Sequence, residues 1–93
     1  MTEINNKFFD RVDEFIQVAN QQLASNSKGE VSASLVFAAS RFNAWLSATG
    51  FNNAKEMEDA RAETIEYFTT EFKKKLIENL DDHIKNFDDY MKG

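Results

Sequence analysis

The 93-residue chain contains no cysteine and no proline, and only three glycines. Without cysteine it can have no disulfide framework, no thiolate nucleophile and no thiolate metal site. That absence suits a reducing compartment, and a soluble, cytoplasmic protein is expected. Without proline, and with glycine confined to Gly29, Gly50 and Gly93, little in the sequence interrupts a helix interior. Basic charge is also scarce: eleven Lys and Arg stand against sixteen Asp and Glu, for a net charge of −5. Binding to a phosphate backbone depends on clustered Lys and Arg. The one basic run, Lys73-Lys74-Lys75, is flanked by Glu71 and Glu78, and successive helix positions point about 100° apart. No nucleic-acid partner is expected. The first residues, MTEINNKFFDRVDEF, lack a basic segment followed by an apolar run and do not read as a signal peptide.

What the chain does have is a nearly uncharged middle. Between Val31 and Ala54 the only charged residue is Arg41. The stretch from Val31 to Gly50 approaches membrane-spanning length, but it is rich in Ala and Ser. Arg41 at its centre would cost about 2.5–3.5 kcal/mol on insertion. It reads as a core helix, and no membrane association is expected. Nine Phe, two Tyr and one Trp supply buried area, each about 150–250 Å². At this length one domain, residues 1–93, is expected.

Punctuation and period predict three main helices. The first runs from about Asn6 to Ala24, with Phe8, Val12, Phe15, Ile16, Ala19 and Leu23 on one stripe and Asn5 or Asn6 as N-cap. Ser25 to Gly29 reads as a turn. The second helix runs from about Val31 to Ala48, with Ser27 paired to Glu30, or Ser32 alone, as cap. Gly50 suits a left-handed position after its end, with Phe51 packing back on Leu46 in a Schellman arrangement.

On a helical wheel this second helix carries two apolar faces. Leu35, Ala38, Ala39, Phe42, Trp45 and Leu46 form a bulky one. Opposite lie Ala33, Val36, Phe37, Ser40, Ala44, Ser47 and Ala48, where Ser40, Ala44 and Ala48 make a seam for close helix approach. A helix apolar on both sides must be covered on both sides.

The last helix is expected to start near Asn53, with Glu56 completing a capping box, and to run without a breaker to Gly93. Its stripe is Met57, Ile65, Phe68, Phe72, Leu76, Leu80, Ile84, Phe87 and Met91. The stripe drifts along the helix, which predicts either gradual wrapping or a kink around residues 75–82. A straight helix of this length would span about 57 Å, against about 27 Å for the second. Leu76 to Met91 would then overhang and need cover. The expected fold is therefore all-α: an antiparallel three-helix bundle with a long, kinked or wrapped C-terminal helix, or with a short fourth helix folded back. A homo-oligomer, with a dimer favoured, covers both the two-faced helix and the overhang. It is preferred because no Gly, Pro or turn cluster marks a fold-back point.

Candidate chemistry is sparse. His83 is the only histidine, and neither Asn79 nor Leu80 could join it in a Glu-x-x-His or His-x-x-x-His site. It is read as structural, and no metal or cofactor is expected. Arg41, between two apolar faces, should seek a carboxylate on a neighbouring helix or stack on an aromatic ring; the functional alternative is an anion anchor. Phe42 and Trp45 read as core or subunit interface, with a small-molecule pocket beside Arg41 as the alternative. The acidic cluster Glu78, Asp81, Asp82, Asp88 and Asp89 reads as a solvated face, and Glu63 with Glu66 is one of many undiagnostic carboxylate pairs. With no nucleophile–base arrangement and no Gly-rich phosphate loop, an enzyme is not expected.

The run Val31-Ser32-Ala33-Ser34-Leu35-Val36-Phe37-Ala38-Ala39-Ser40-Arg41-Phe42-Asn43-Ala44, together with Phe9-x-x-Val12-Asp13-x-Phe15-Ile16 before it and Asn79-Leu80-Asp81-Asp82-x-Ile84-x-Asn86-Phe87 after it, resembles a family of small acidic bacterial proteins, domain of unknown function 3144. The resemblance covers almost the whole chain. It implies a compact bacterial helical protein and carries over no functional residues. The leading expectation is a non-catalytic, self-associating interaction or regulatory protein, with an unknown protein as a further partner. The alternative is a small-ligand binder using Arg41, Phe42 and Trp45.

Overall fold

The computed structural model describes residues 6–92. They form α1 (Asn6–Gln22), α2 (Lys28–Ala48), α3 (Ala54–Asp59), α4 (Arg61–Lys85) and α5 (Phe87–Met91), with no strand among the described residues. The described residues are thus all-helical, with three main helices and two short ones. The elements group into two units, Met1–Leu46 and Ser47–Gly93.

In the first unit α1 ends two residues earlier than expected. The N–H groups of Leu23, Ala24 and Ser25 donate to Asn20, Gln21 and Gln22 at 3.2 Å each, so the last turn tightens to i→i+3 spacing. Asn26 Nδ2 donates to the Gln22 carbonyl at 3.0 Å, giving that end a side-chain partner. Of the two candidate caps for α1, Asn5 lies outside the described residues and Asn6 is the first helical residue.

α2 starts three residues earlier than the predicted Val31, so Lys28 and Gly29 belong to the helix rather than to a turn. The cause is a complete capping box. Glu30 N–H donates to Ser27 Oγ at 3.2 Å, and Ser27 N–H donates to Glu30 Oε1 at 2.8 Å. The backbone donor of Ser27, followed by its side chain, holds the Glu30 carboxyl below its ordinary pKa. That contribution to stability is present at neutral pH and fades as acidification protonates Glu30.

The other end of α2 departs from expectation. No described glycine has a positive φ, so the left-handed Gly50 of a Schellman motif does not form. Instead Gly50 N–H donates to Ser47 O at 3.0 Å and Phe51 N–H to Ala48 O at 3.2 Å. Two successive tight right-handed turns thus satisfy the terminal carbonyls.

In the second unit Asn53 is the N-cap of α3, as predicted. Its extended backbone (φ −160°, ψ 170°) lets its side chain accept from Glu56 N–H at 2.9 Å. The return bond is displaced by one residue: Glu56 Oε1 accepts from Asn52 N–H at 2.8 Å.

The long C-terminal helix is broken at two places, neither of them in residues 75–82. The first is Ala60 (φ −95°, ψ 5°). Its N–H is shared between Glu56 O at 3.3 Å and Met57 O at 3.1 Å, while its carbonyl accepts both the N–H and the Oγ1–H of Thr64. Such threonine back-bonding loosens a helix locally. The second break is Asn86 (φ −109°, ψ 29°). α4 therefore has 25 residues, about 37 Å against about 31 Å for α2, and Leu76, Leu80, Ile84, Phe87 and Met91 are exposed in the single chain.

No described residue is buried in the single chain. From α3 through the Ala60 break into α4, Met57, Ala60, Thr64, Phe68 and Glu71 are half-buried, a stripe at three- and four-residue spacing, and Asp82 is half-buried near the end of α4. Glu71 accepts from Lys75 at 3.1 Å and Lys74 at 3.2 Å, and these two ammonium groups, Lys75 first, lower its pKa.

The two ends of α2 generate opposite expectations for substitution. Ser27→Ala should destabilise the protein by about 1 kcal/mol in urea titration, because the Glu30 N–H loses its side-chain acceptor, Ser27 Oγ. A Cβ added at Gly50 meets only the Ser47 carbonyl, at 3.5 Å. Gly50→Ala should therefore be within about 0.5 kcal/mol of wild type; a loss above about 1 kcal/mol would mean a left-handed residue there.

Candidate interaction surface

The three residues singled out on α2 lie on its surface. Phe42 and Trp45, one helical turn apart, have ring centroids 5.6 Å apart at 43°, and they are 61% and 60% exposed. They form an aromatic pair, but an open one. Arg41 beside them is exposed and makes no ion pair or hydrogen bond with any described residue. The carboxylate partner expected for it is therefore not found among the described residues, nor does its guanidinium stack on a described ring.

Both apolar faces of α2 are open in the same way. On the bulky face Leu35 and Leu46 are exposed like the aromatic pair, and on the opposite face so are Val36 and Phe37. Ser40 turns its hydroxyl inward on the helix, donating to Phe37 O at 2.8 Å. An aromatic ring left this open forgoes burial of on the order of 100 Å² of apolar surface, worth about 2–3 kcal/mol.

A feature not evident from the sequence is an open groove of about 880 Å³ between α1 and α2. Phe15, Val18, Ala19 and Gln22 line it from α1; Val31, Ala33, Ser34, Leu35 and Ala38 line it from α2, with Asn26 and Glu30 at the turn end. The lining is predominantly apolar and includes several small side chains. Arg41, Phe42 and Trp45 are not part of it, yet Phe42 and Trp45 continue the Leu35–Ala38 row at helical spacing.

The second unit contributes a polar corner at the start of α5. Asp82 is its centre. Asn86 Nδ2 donates to Asp82 Oδ1 at 2.9 Å and to the Asp82 carbonyl at 3.2 Å, and Tyr90 Oη donates to Asp82 Oδ2 at 2.9 Å. The competing Asn86 amide accounts for the break between α4 and α5. His83 Nδ1 lies 2.9 Å from Asn79 O; a carbonyl only accepts, so Nδ1 carries the proton. Its ring rests on Tyr90, with centroids 4.7 Å apart, which gives His83 a structural place. Asp82, Asn86 and Tyr90 recur at four-residue spacing, a signal that was available in the sequence but was masked by the neighbouring apolar stripe. Of the acidic cluster, Asp82 is half-buried while Glu78, Asp81, Asp88 and Asp89 are exposed, Asp88 lying 3.4 Å from Lys92 Nζ. No group of three or more His, Asp and Glu side chains among the described residues is arranged to hold a metal ion. No helix among them is long and apolar enough to cross a membrane.

These features define a small helical protein whose distinctive surface is apolar and unfilled. The chain belongs to the family described as Protein of unknown function (DUF3144), whose model matches residues 8–84. That span includes the whole groove, the Phe42–Trp45 pair and Asp82, and it stops before Asn86 and Tyr90. The chain is also similar to the protein NB7890A from Shewanella sp., known from an NMR structure. The two are 37% identical, the match covers 96% of this chain and 95% of that one, and the TM-score is 0.77. No curated protein matches the sequence.

The corner has a spectroscopic signature. The hydrogen bond to Asp82, and then the Asp82 charge, raise the Tyr90 pKa above its ordinary value. A neutral tyrosine favoured by the fold adds stability that is present below the normal phenol pKa and lost as pH rises through the raised one. In a Tyr67→Phe background, alkaline absorbance titration should therefore show one phenol titrating late, and Asp82→Asn should move it earlier. An unchanged titration in Asp82→Asn would contradict the geometry of the corner.

Proposed function

We propose that the protein is a non-catalytic, self-associating interaction protein of the cytoplasm, working as a homo-oligomer and most simply as a dimer. The observation that carries this reading is the exposure of both apolar faces of α2 in the single chain, from Leu35 at 42% to Phe37 at 64%. A helix with one charge in its central part cannot keep two such faces in water without a large hydrophobic penalty. A second copy presents the same apolar surfaces at the same concentration, and self-complementary pairing by two-fold symmetry is the commonest way to cover them. On this reading Phe42 and Trp45 are interface anchors, since aromatic pairs dominate interface energetics, and Arg41 finds its carboxylate or ring partner on the second chain. The cysteine-free composition is consistent with the cytoplasmic assignment.

The competing reading, a small-ligand binder, draws support from the groove volume, which lies in the range of small-molecule sites. It places the pocket at Arg41, Phe42 and Trp45, whereas the groove is lined farther toward the helix start. Apolar exposure on both sides of α2 favours the protein partner.

Sedimentation equilibrium of the 10.7 kDa chain is expected to give a mass of two chains at micromolar concentration. Dilution should shift the emission of Trp45 to the red as its ring returns to water. Phe42→Glu should raise the dissociation constant on the order of a hundredfold, since a desolvated unpaired charge at an interface costs several kcal/mol. A strict monomer at all concentrations, with its Trp45 emission insensitive to dilution, would overturn the proposal.

A further inference from the structure

The geometry points to the groove between α1 and α2 as the seat of this self-association, occupied by α2 of a second copy; the inference rests on the dimer reading given above. Two properties of the groove carry it. Its lining is apolar with small residues, among them Ala19, Ser34 and Ala38, so another helix backbone can approach to the usual 8–10 Å or slightly less. Its walls also belong to helices that are themselves incompletely covered: Phe15 on α1 is 67% exposed and Leu35 on α2 is 42% exposed.

The two-faced α2 then acquires a reason. With two-fold symmetry, each copy's α2 lies in the other's groove, giving the order α1, partner α2, α2, partner α1. In that order one face of α2, carrying Leu35 and Ala38 and continuing to Phe42 and Trp45, meets the partner's α2. The opposite face, carrying Val36, Phe37 and the Ser40–Ala44 seam, meets the partner's α1. Both apolar faces are covered by one symmetric act, and no other segment is required.

The area is sufficient. The large apolar side chains that α1 and α2 leave exposed run from Val12 at 38% to Phe15 at 67%. Together they amount to on the order of 1,000 Å² per chain, comparable to the roughly 800 Å² per partner of a standard specific interface. Charge does not oppose the pairing, because the α2 segment that would be inserted carries only Arg41 between Val31 and Ala48. Ala38 occupies the eleventh of the 21 positions of α2, its midpoint, where two antiparallel copies related by a two-fold axis cross.

The test uses the full chain and compares two exposed positions, one on each surface. Ala38→Arg is expected to leave the helical circular dichroism intact and to weaken dimerisation a hundredfold or more by sedimentation. Leu80→Arg, on α4, should leave the dimer in place. Because the chain has no cysteine, Ala38→Cys supplies a background-free probe, and a short bismaleimide should join two copies efficiently. If Ala38→Arg fails to fold, the cross-link decides. A wild-type dimer that survives Ala38→Arg and does not cross-link at Ala38→Cys would overturn the groove as seat while leaving self-association standing. The groove is equally excluded as the seat if Leu80→Arg, and not Ala38→Arg, gives the monomer. A monomeric wild type, including one whose groove takes up a small molecule or another protein, would remove both readings.

Discussion

Everything in this molecule turns on how α2 is kept out of water. Most surface helices carry one apolar stripe and one polar face, so a single neighbour satisfies them. α2 has apolar residues around nearly its whole circumference and a lone Arg41 among them. Such a helix calls for cover on both sides, and the single chain leaves both of its apolar faces substantially open. Each open ring on α2 is worth about 2–3 kcal/mol of unrealised burial, while a whole domain of this size is held together by only about 5–15 kcal/mol. Covering α2 therefore adds substantially to stability, and on the proposed arrangement association supplies that part of it.

The helix ends are settled by local chemistry that asks nothing of a partner. Ser27 and Glu30 exchange bonds and set where α2 begins. Asn53 and Glu56 do the same for α3, with the carboxylate reaching Asn52 rather than the cap residue. Asp82, Asn86 and Tyr90 form a ladder that ends α4 and starts α5. The chain thus separates into features fixed by neighbours in sequence and apolar surfaces that depend on more distant cover. The first group forms in a single copy; the second is where, on the proposed reading, association enters.

The same division explains what the sequence discloses. Helix class, the three main helices and the caps at Ser27 and Asn53 are legible because they depend on residues three and four apart. The stretch from Asn53 to Gly93 misleads because no Gly or Pro interrupts it, while the breaks at Ala60 and Asn86 come with Thr64 and Asn86 side chains competing for backbone carbonyls. Gly50 misleads in the other direction: its composition suits a left-handed turn, but two right-handed tight turns satisfy the same carbonyls. The groove is illegible in sequence because it arises from the spacing between α1 and α2, which no periodicity encodes. Arg41, Phe42 and Trp45 stand out in the sequence; in one chain they form an open aromatic pair and a guanidinium with no partner among the described residues, and they line no part of the groove.

The central claim, that a second copy covers α2, is tested most directly by isotope-filtered nuclear Overhauser spectroscopy. The sample would be an equal mixture of labelled and unlabelled protein, dissociated and reassembled so that the copies exchange. The account requires cross-peaks between chains from the Phe42 and Trp45 rings and the Ala38 methyl to α2 of the other copy, and from Phe37 to Phe15 or Val18 of its α1. If all contacts to these groups arise within one chain, α2 is covered from within and the account is contradicted.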